Sequence, residues 1–295
     1  MNASSVKRMG VLGAGQMGRG IAQVAAAAGV EVVLCDASLD LASKGKATIG
    51  AVLGKQAEKG KISQEDVSAL LGRITPTESI ADFSSVDIAV EAATENVDLK
   101  LQLFRKADAA LPKDAILASN TSSISITRLA AATSRPNRVI GMHFMNPVPL
   151  MKLVEIVRGV QTDASTFETV RDLSVRFGKT VIVSEDRPGF LVNRMLIPFL
   201  NEACFTLQEG VGSAEDIDAG ARLGLNHPMG PLELADLIGL DTVLAIAEVL
   251  HRDIGDDKYR PASILRNLVA AGWLGKKTKR GFYVYDDKGQ KVVRT

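Results

Sequence analysis

Up to about residue 183, the apolar positions of this chain alternate between two regimes. Short apolar runs are separated by longer stretches in which apolar residues return every three to four positions. The short runs at 9–13, 31–36, 87–93, 115–118, 138–144, 151–157 and 180–183 read as buried strands. The stretches at 16–28, 39–59, 64–71, 97–110 and 166–177 read as helices, the third capped by Ser63. Strands alternating with helices predict an α/β Rossmann-type domain with a mostly parallel sheet. Apart from its short helix, the stretch 60–78 reads as a connection. Residues 184–189, SEDRPG, read as a hinge, and beyond them the pattern is helical throughout, at 190–209, after Ser213, and at 232–238, 242–251 and 263–271. A chain of 295 residues is long for one core, so the expectation is two domains, 1–186 α/β and 187–295 all-α.

The first strand–helix–strand unit carries G-x-G-x-x-G at its turn, with Gly13, Gly15 and Gly18. Gly13 permits the tight turn, Gly15 lets a pyrophosphate approach the backbone, and Gly18 lets the helix pack on the strand. The N–H groups at the start of that helix, from Gln16 and Met17 onward, then face the pyrophosphate together with the turn residue Ala14. Asp36 lies 18 residues after Gly18 at the end of the second strand, where a carboxylate accepts hydrogen bonds from the adenosine ribose. The glycine triplet alone is a weak signal, but strand, helix, strand and acid all fall where dinucleotide binding needs them. The Asp36 charge repels a 2′-phosphate, and Ala37 and Ser38 offer no arginine to receive one, so NAD is favoured over NADP.

Other chemistry gathers at strand ends, where open α/β sheets bind ligands. One strand opens into Thr94, Glu95 and Asn96. Another opens into Ser119-Asn120-Thr121-Ser122-Ser123, where each of the five is singly explained as a helix cap and the group equally fits hydrogen bonds to a cofactor or substrate. A third strand delivers His143 into Met145-Asn146-Pro147, with Glu155 twelve residues on in an apolar run. An isolated carboxylate in such a run needs a partner, and His143 is the candidate: the carboxylate orients the imidazole and stabilises its cationic form. His227 and His251 read as surface or satisfied core residues. Lys55 and Lys59 share one face of their helix, either as a solvated surface or as a basic rim for a phosphorylated substrate.

A formal net charge of +1 argues against a general nucleic-acid or membrane-surface binder. Two cysteines far apart in apolar surroundings, Cys35 and Cys204, read as buried thiols rather than a disulfide or metal site. The start, MNASSVKRMG, lacks the apolar run of a signal peptide, and no long uncharged apolar run follows, so the expectation is a cytoplasmic protein. Apolar helix faces in so small a second domain favour packing against another copy, which predicts a homodimer.

Taken in order, GAGQMG, Asp36, SNTSS, HFMNPVPLMKLVE, PGFLVNR and HPMGPLELAD resemble the 3-hydroxyacyl-CoA dehydrogenase family, in its branch acting on short-chain substrates. The likeness runs from about Met9 to Tyr285 without a large gap. It implies an NAD-binding Rossmann domain, a helical C-terminal domain for substrate and dimerisation, and oxidation of an (S)-3-hydroxyacyl-CoA to the 3-ketoacyl-CoA. It further implies that His143 is the general base and Glu155 its partner, with Ser122 and Asn193 holding and polarising the substrate. Glu95, Lys100, Ser122, Asn146 and Lys277 fall at positions that contact NAD in such enzymes, and Lys55 and Lys59 on the helix that meets the CoA phosphates. No metal is implied. The family often has a second phenylalanine where this chain has Met145. Two rival readings stand beside this one: a dehydrogenase of a free hydroxy or sugar acid, and a non-catalytic NAD-binding protein. The joint presence of Ser122, His143, Glu155 and Asn193 speaks against the second.

Overall fold

A computed structural model describes residues 2–292 of the chain, which divides into two units, Met1–Arg187 and Pro188–Thr295. The described part of the first unit carries strands β1 (Arg8–Leu12), β2 (Glu31–Cys35), β3 (Ile74–Thr77), β4 (Ile88–Glu91), β5 (Ile116–Ser119), β6 (Val139–Phe144), β7 (Leu153–Arg158) and β8 (Thr180–Glu185). They form one sheet in the order β3-β2-β1-β4-β5-β6-β7-β8. Every neighbouring pair is parallel except β6 and β7. Helices α1 (Gln16–Ala27), α2 (Leu39–Glu58), α3 (Gln64–Gly72), α4 (Val97–Ala110), α5 (Ile126–Ala130) and α6 (Ala164–Arg176) lie between the strands in sequence. The chain moves outward from β1 to β2 and β3, then returns to β4 on the other side of β1. The crevice at this reversal lies beyond the carboxyl ends of β1 and β4.

The fold class expected from the alternating pattern is the one found. Strands β4, β5 and β6 are buried at every residue, as parallel strands covered on both faces must be. Met9, Val11, Ile21, Leu34, Ile88, Val90, Ile116, Ile140 and Phe144 are among the residues of a core that joins the sheet to its helices. The stretch 60–78, read as a connection with one helix, contains β3 as well. Pro76 hid that strand, since proline lacks the ladder donor; β3 tolerates it because it forms the sheet's edge.

The second unit packs α7 (Val192–Gln208), α8 (Ala214–Gly224), α9 (Pro231–Ile238), α10 (Leu240–Ile254) and α11 (Ser263–Ala270) around Ile197, Leu200, Cys204, Leu232, Val243, Leu250 and Leu265. Its helical character follows the sequence pattern; its two buried aspartates do not. Asp218 accepts from the backbone N–H of Leu232 (2.8 Å) and Glu233 (3.0 Å), capping α9, and from the Tyr283 hydroxyl (2.7 Å). Asp236 accepts from the N–H of Phe282 and Tyr283, both at 3.0 Å, and from the Tyr285 hydroxyl at 2.9 Å. Burial pushes the Asp236 carboxyl above its usual range against these donors, and nearby Asp218 adds to the rise. Gly281 is required here, because a Cβ on it would sit 1.9 Å from Asp236 Oδ1. Cys35 and Cys204 are both buried free thiols. Among the described residues, no helix is long and apolar enough to cross a membrane.

Candidate active site

The three glycines of the first turn meet three different constraints. Gly13 adopts φ +103°, and a Cβ on it would stand 2.7 Å from the Ala92 carbonyl oxygen on the neighbouring β4 loop. A Cβ on Gly18 would lie 1.7 Å from the Gly13 carbonyl oxygen, so α1 reaches the turn only with glycine there. Gly15 is different: a Cβ on it meets nothing within 4 Å. No contact among the described residues demands this glycine, and the open space lies at the N-cap of α1, where its free N–H groups and positive dipole end favour a phosphate. Asp36 closes the turn from β2. Its Oδ2 accepts from Ala14 N–H at 2.6 Å and its Oδ1 from Ala37 N–H at 2.7 Å. These residues fit a dinucleotide: a backbone cradle for the pyrophosphate beside a fixed carboxylate for the ribose.

Across the crevice, β4 and β5 end in a buried polar cluster. Lys100, 1% exposed on α4, points its ammonium at Glu91 Oε1 (2.6 Å), Glu95 Oε2 (3.3 Å) and the Ala93 carbonyl (3.1 Å). The second oxygen of Glu91 accepts from Ser119 Oγ at 2.7 Å. Glu95 Oε1 gathers donors from the next loop: Thr121 Oγ1, Ser122 N–H, Ser122 Oγ and Ser123 Oγ, at 2.5 to 3.2 Å. Burial pushes the Glu95 carboxyl up, but the Lys100 charge and the Thr121 and Ser122 donors outweigh it and hold the group below the usual carboxylate range. The small polar residues of the SNTSS stretch thus act as a group. Asn120 joins them to the next strand, its Oδ1 accepting from Phe144 N–H at 2.9 Å.

His143 and Glu155 occupy facing positions of the antiparallel β6–β7 pair, with Nδ1 2.9 Å from Oε2. The His143 side chain is 9% exposed and that of Glu155 fully enclosed. A carboxylate only accepts, so Nδ1 carries the proton and Nε2 is the basic nitrogen of the neutral ring. The turn between the strands is clasped on two sides. Gln16 Nε2 at the head of α1 donates to Asn146 Oδ1 at 3.0 Å, and a Cβ on Gly20 of α1 would lie 2.6 Å from Val148 Cβ. Behind the turn, the buried ammonium of Lys179 donates to the carbonyls of Val148 (2.6 Å) and Met151 (2.8 Å), and desolvation lowers its pKa.

Within the first unit, Gly13, Ala14, Gly15, Gln16, Met17, Gly18 and Asp36 line up at the turn, Glu95, Lys100 and Ser122 form one cluster, and His143, Glu155 and Asn146 share the β6–β7 hairpin. Lys55 and Lys59 are exposed at the end of α2. In the second unit, Asn193 is buried in the first turn of α7, and Lys277 pairs with Asp241. Glu91 and Lys179 escaped the reading of the sequence, although a glutamate inside the apolar strand IAVE is the same signal that singled out Glu155. Among the described residues, no His, Cys, Asp or Glu cluster has the makings of a metal site.

Residues 8–187 match the family 3-hydroxyacyl-CoA dehydrogenase, NAD binding domain, and residues 189–285 match 3-hydroxyacyl-CoA dehydrogenase, C-terminal domain. A 3-hydroxybutyryl-CoA dehydrogenase of Bradyrhizobium diazoefficiens is 54% identical over 293 residues, covering 99% of each chain. A probable 3-hydroxybutyryl-CoA dehydrogenase of Bacillus subtilis is 50% identical over 283 residues, 96% of this chain and 99% of its own. The crystal structure of the (S)-3-hydroxybutyryl-CoA dehydrogenase of Ralstonia eutropha superposes with a TM-score of 0.93 at 51% identity, covering 96% of this chain and 100% of that one.

Proposed function

Because this chain belongs to the 3-hydroxyacyl-CoA dehydrogenase family, we propose that it catalyses the reversible, NAD-dependent oxidation of (S)-3-hydroxybutyryl-CoA to acetoacetyl-CoA. The observation that carries the proposal is the His143–Glu155 pair in the unit that also holds the glycine turn. Nε2 of His143 takes the proton of the C3 hydroxyl, and Glu155 offsets the charge that then forms on the ring. NAD, when bound, supplies the hydride acceptor. Substrate binding is assigned to Ser122 in the first unit and to Asn193 in the second. Glu95 and Asn146 contact the cofactor, with Lys277 as a further contact. Lys100 is enclosed with its ammonium on Glu91 and Glu95, so its part is to hold Glu95 in place. Lys55 and Lys59 receive CoA phosphates.

The proposal includes a preference for NAD over NADP, set by Asp36, and a homodimer formed through the second unit, whose surface exposes Met195, Val211, Leu223 and Leu225. It places the reaction in the cytoplasm. Initial rates of acetoacetyl-CoA reduction with NADH and with NADPH, beside free acetoacetate, test it. Turnover of the thioester with NADH is the expected result. Turnover of the free acid alone, or none of either, refutes it.

A further inference from the structure

The open cavity that adjoins the glycine turn holds more positive charge than an NAD ribose requires. It has a volume of about 690 Å³ and lies between α1 and α2, with Gly15, Arg19, Asp36, Lys44 and Thr48 among its walls. Helix α2 comes this close to the turn because Gly45 faces Ala14, where a Cβ would stand 2.8 Å from the alanine's own. Arg19 sits in the first two turns of α1, half-buried, and among the described residues no carboxylate lies within 4.0 Å of its guanidinium. Lys44 is exposed and shared with Asp40 at 2.8 Å, so Arg19 is the stronger cation of the two. Asp36 is the carboxylate of the cavity wall, held there by the Ala14 and Ala37 N–H groups.

The ribose hydroxyls that Asp36 receives include the 2′-hydroxyl, and a 2′-phosphate in its place would enter this cavity. There it would meet one fixed negative charge and two cations. We propose that the cavity is a latent 2′-phosphate pocket weakened by a single carboxylate: Asp36 disfavours NADP, and Arg19, supported by Lys44, attracts its phosphate weakly in the intact protein and binds it tightly once that charge is removed. Guanidinium and phosphate form paired, charge-assisted hydrogen bonds, which gives Arg19 the larger share. This inference rests on the dinucleotide reading of the turn and concerns which nucleotide is chosen.

The test is the Kd of NADH and NADPH, read from nicotinamide fluorescence without turnover, for the intact protein and three variants. Asp36→Ser is expected to tighten NADPH binding about tenfold or more, and Asp36→Ser/Arg19→Ala to lose most of that gain. Arg19→Ala alone is expected to raise the NADPH-to-NADH Kd ratio severalfold, a measurement that stands if Asp36→Ser does not fold. No gain in Asp36→Ser, a gain kept in the double variant, or an unmoved ratio in Arg19→Ala overturns the proposal. If the intact protein binds neither nucleotide, the dinucleotide reading itself falls and takes this inference with it.

Discussion

His143 and Glu155 face each other across the one antiparallel pair of an otherwise parallel sheet, Nδ1 to Oε2 at 2.9 Å. The reversal at β7 brings two residues twelve apart in sequence into register, and both side chains leave the same face of the sheet. A fully buried carboxylate next to a nearly buried ring is costly unless the ring answers it, so each fixes the other's state. His143→Ala is expected to lower kcat by about 10²–10⁴ while NADH binding survives, because the turn that holds the nucleotide is untouched. Glu155→Gln keeps the shape and loses the charge, so kcat is expected to fall with little change in KM. Steady-state rates and NADH titration check both, and wild-type-like turnover in His143→Ala rules out the base.

Two glycines of one turn are expected to fail in opposite ways when changed to alanine. At Gly15 the added Cβ meets open space and the backbone has negative φ, so Gly15→Ala should cost less than about 1 kcal/mol of stability. It should still weaken NADH binding, since the methyl group occupies the approach of the pyrophosphate. At Gly18 the Cβ collides with the Gly13 carbonyl, and the overpacking should cost roughly 1–3 kcal/mol or more, with binding lost as a consequence. Thermal melts beside NADH titration separate the two; equal loss of stability in both variants contradicts the assignment.

Lys100 is completely enclosed and its ammonium joins Glu91, on β4, to Glu95, on the loop beyond it. Lys100→Met removes the cation and strands the Glu91 charge in the core, which is expected to cost about 3–5 kcal/mol. The double variant Lys100→Met/Glu91→Gln should recover part of this, since the stranded charge is gone. Urea unfolding of the single and double variants measures the recovery. If Lys100→Met alone melts like the parent, the buried pair is not what holds the strand end.

The fold was legible because its strands and helices keep their periods, and the turn because glycine has few substitutes there. β3 was not, since Pro76 argues against a strand until one knows that the strand is an edge. Glu91 and Lys100 pair only after α4 folds back onto β4, a relation that strand and helix periods do not carry. Asp218 and Asp236 are equally silent in sequence: each lies in a helix that looks amphipathic, and each becomes buried by receiving the segment that carries Phe282, Tyr283 and Tyr285. Arg19 follows a glycine motif usually read only for its glycines, and its place in the cavity wall emerges only when α2 packs beside α1.

Glu95 gives the acid side of the stability curve a definite sign. Lys100, Thr121 and Ser122 hold its folded pKa below the unfolded value of about 4.3, although burial opposes them. A carboxyl depressed in this way contributes stability above about pH 4.3 and loses it as pH falls through the folded value. The side chain is 37% exposed, so solvent screening keeps the contribution modest. Protonation also weakens the hold of Glu95 on Thr121 and Ser122, which links the same proton to the order of the loop beside the nucleotide. Urea midpoints for the parent and for Glu95→Gln, taken from pH 7 down to pH 3, are expected to differ most at neutral pH and to converge in acid. A gap that stays constant across that range would mean the carboxylate's charge has no part in holding the loop.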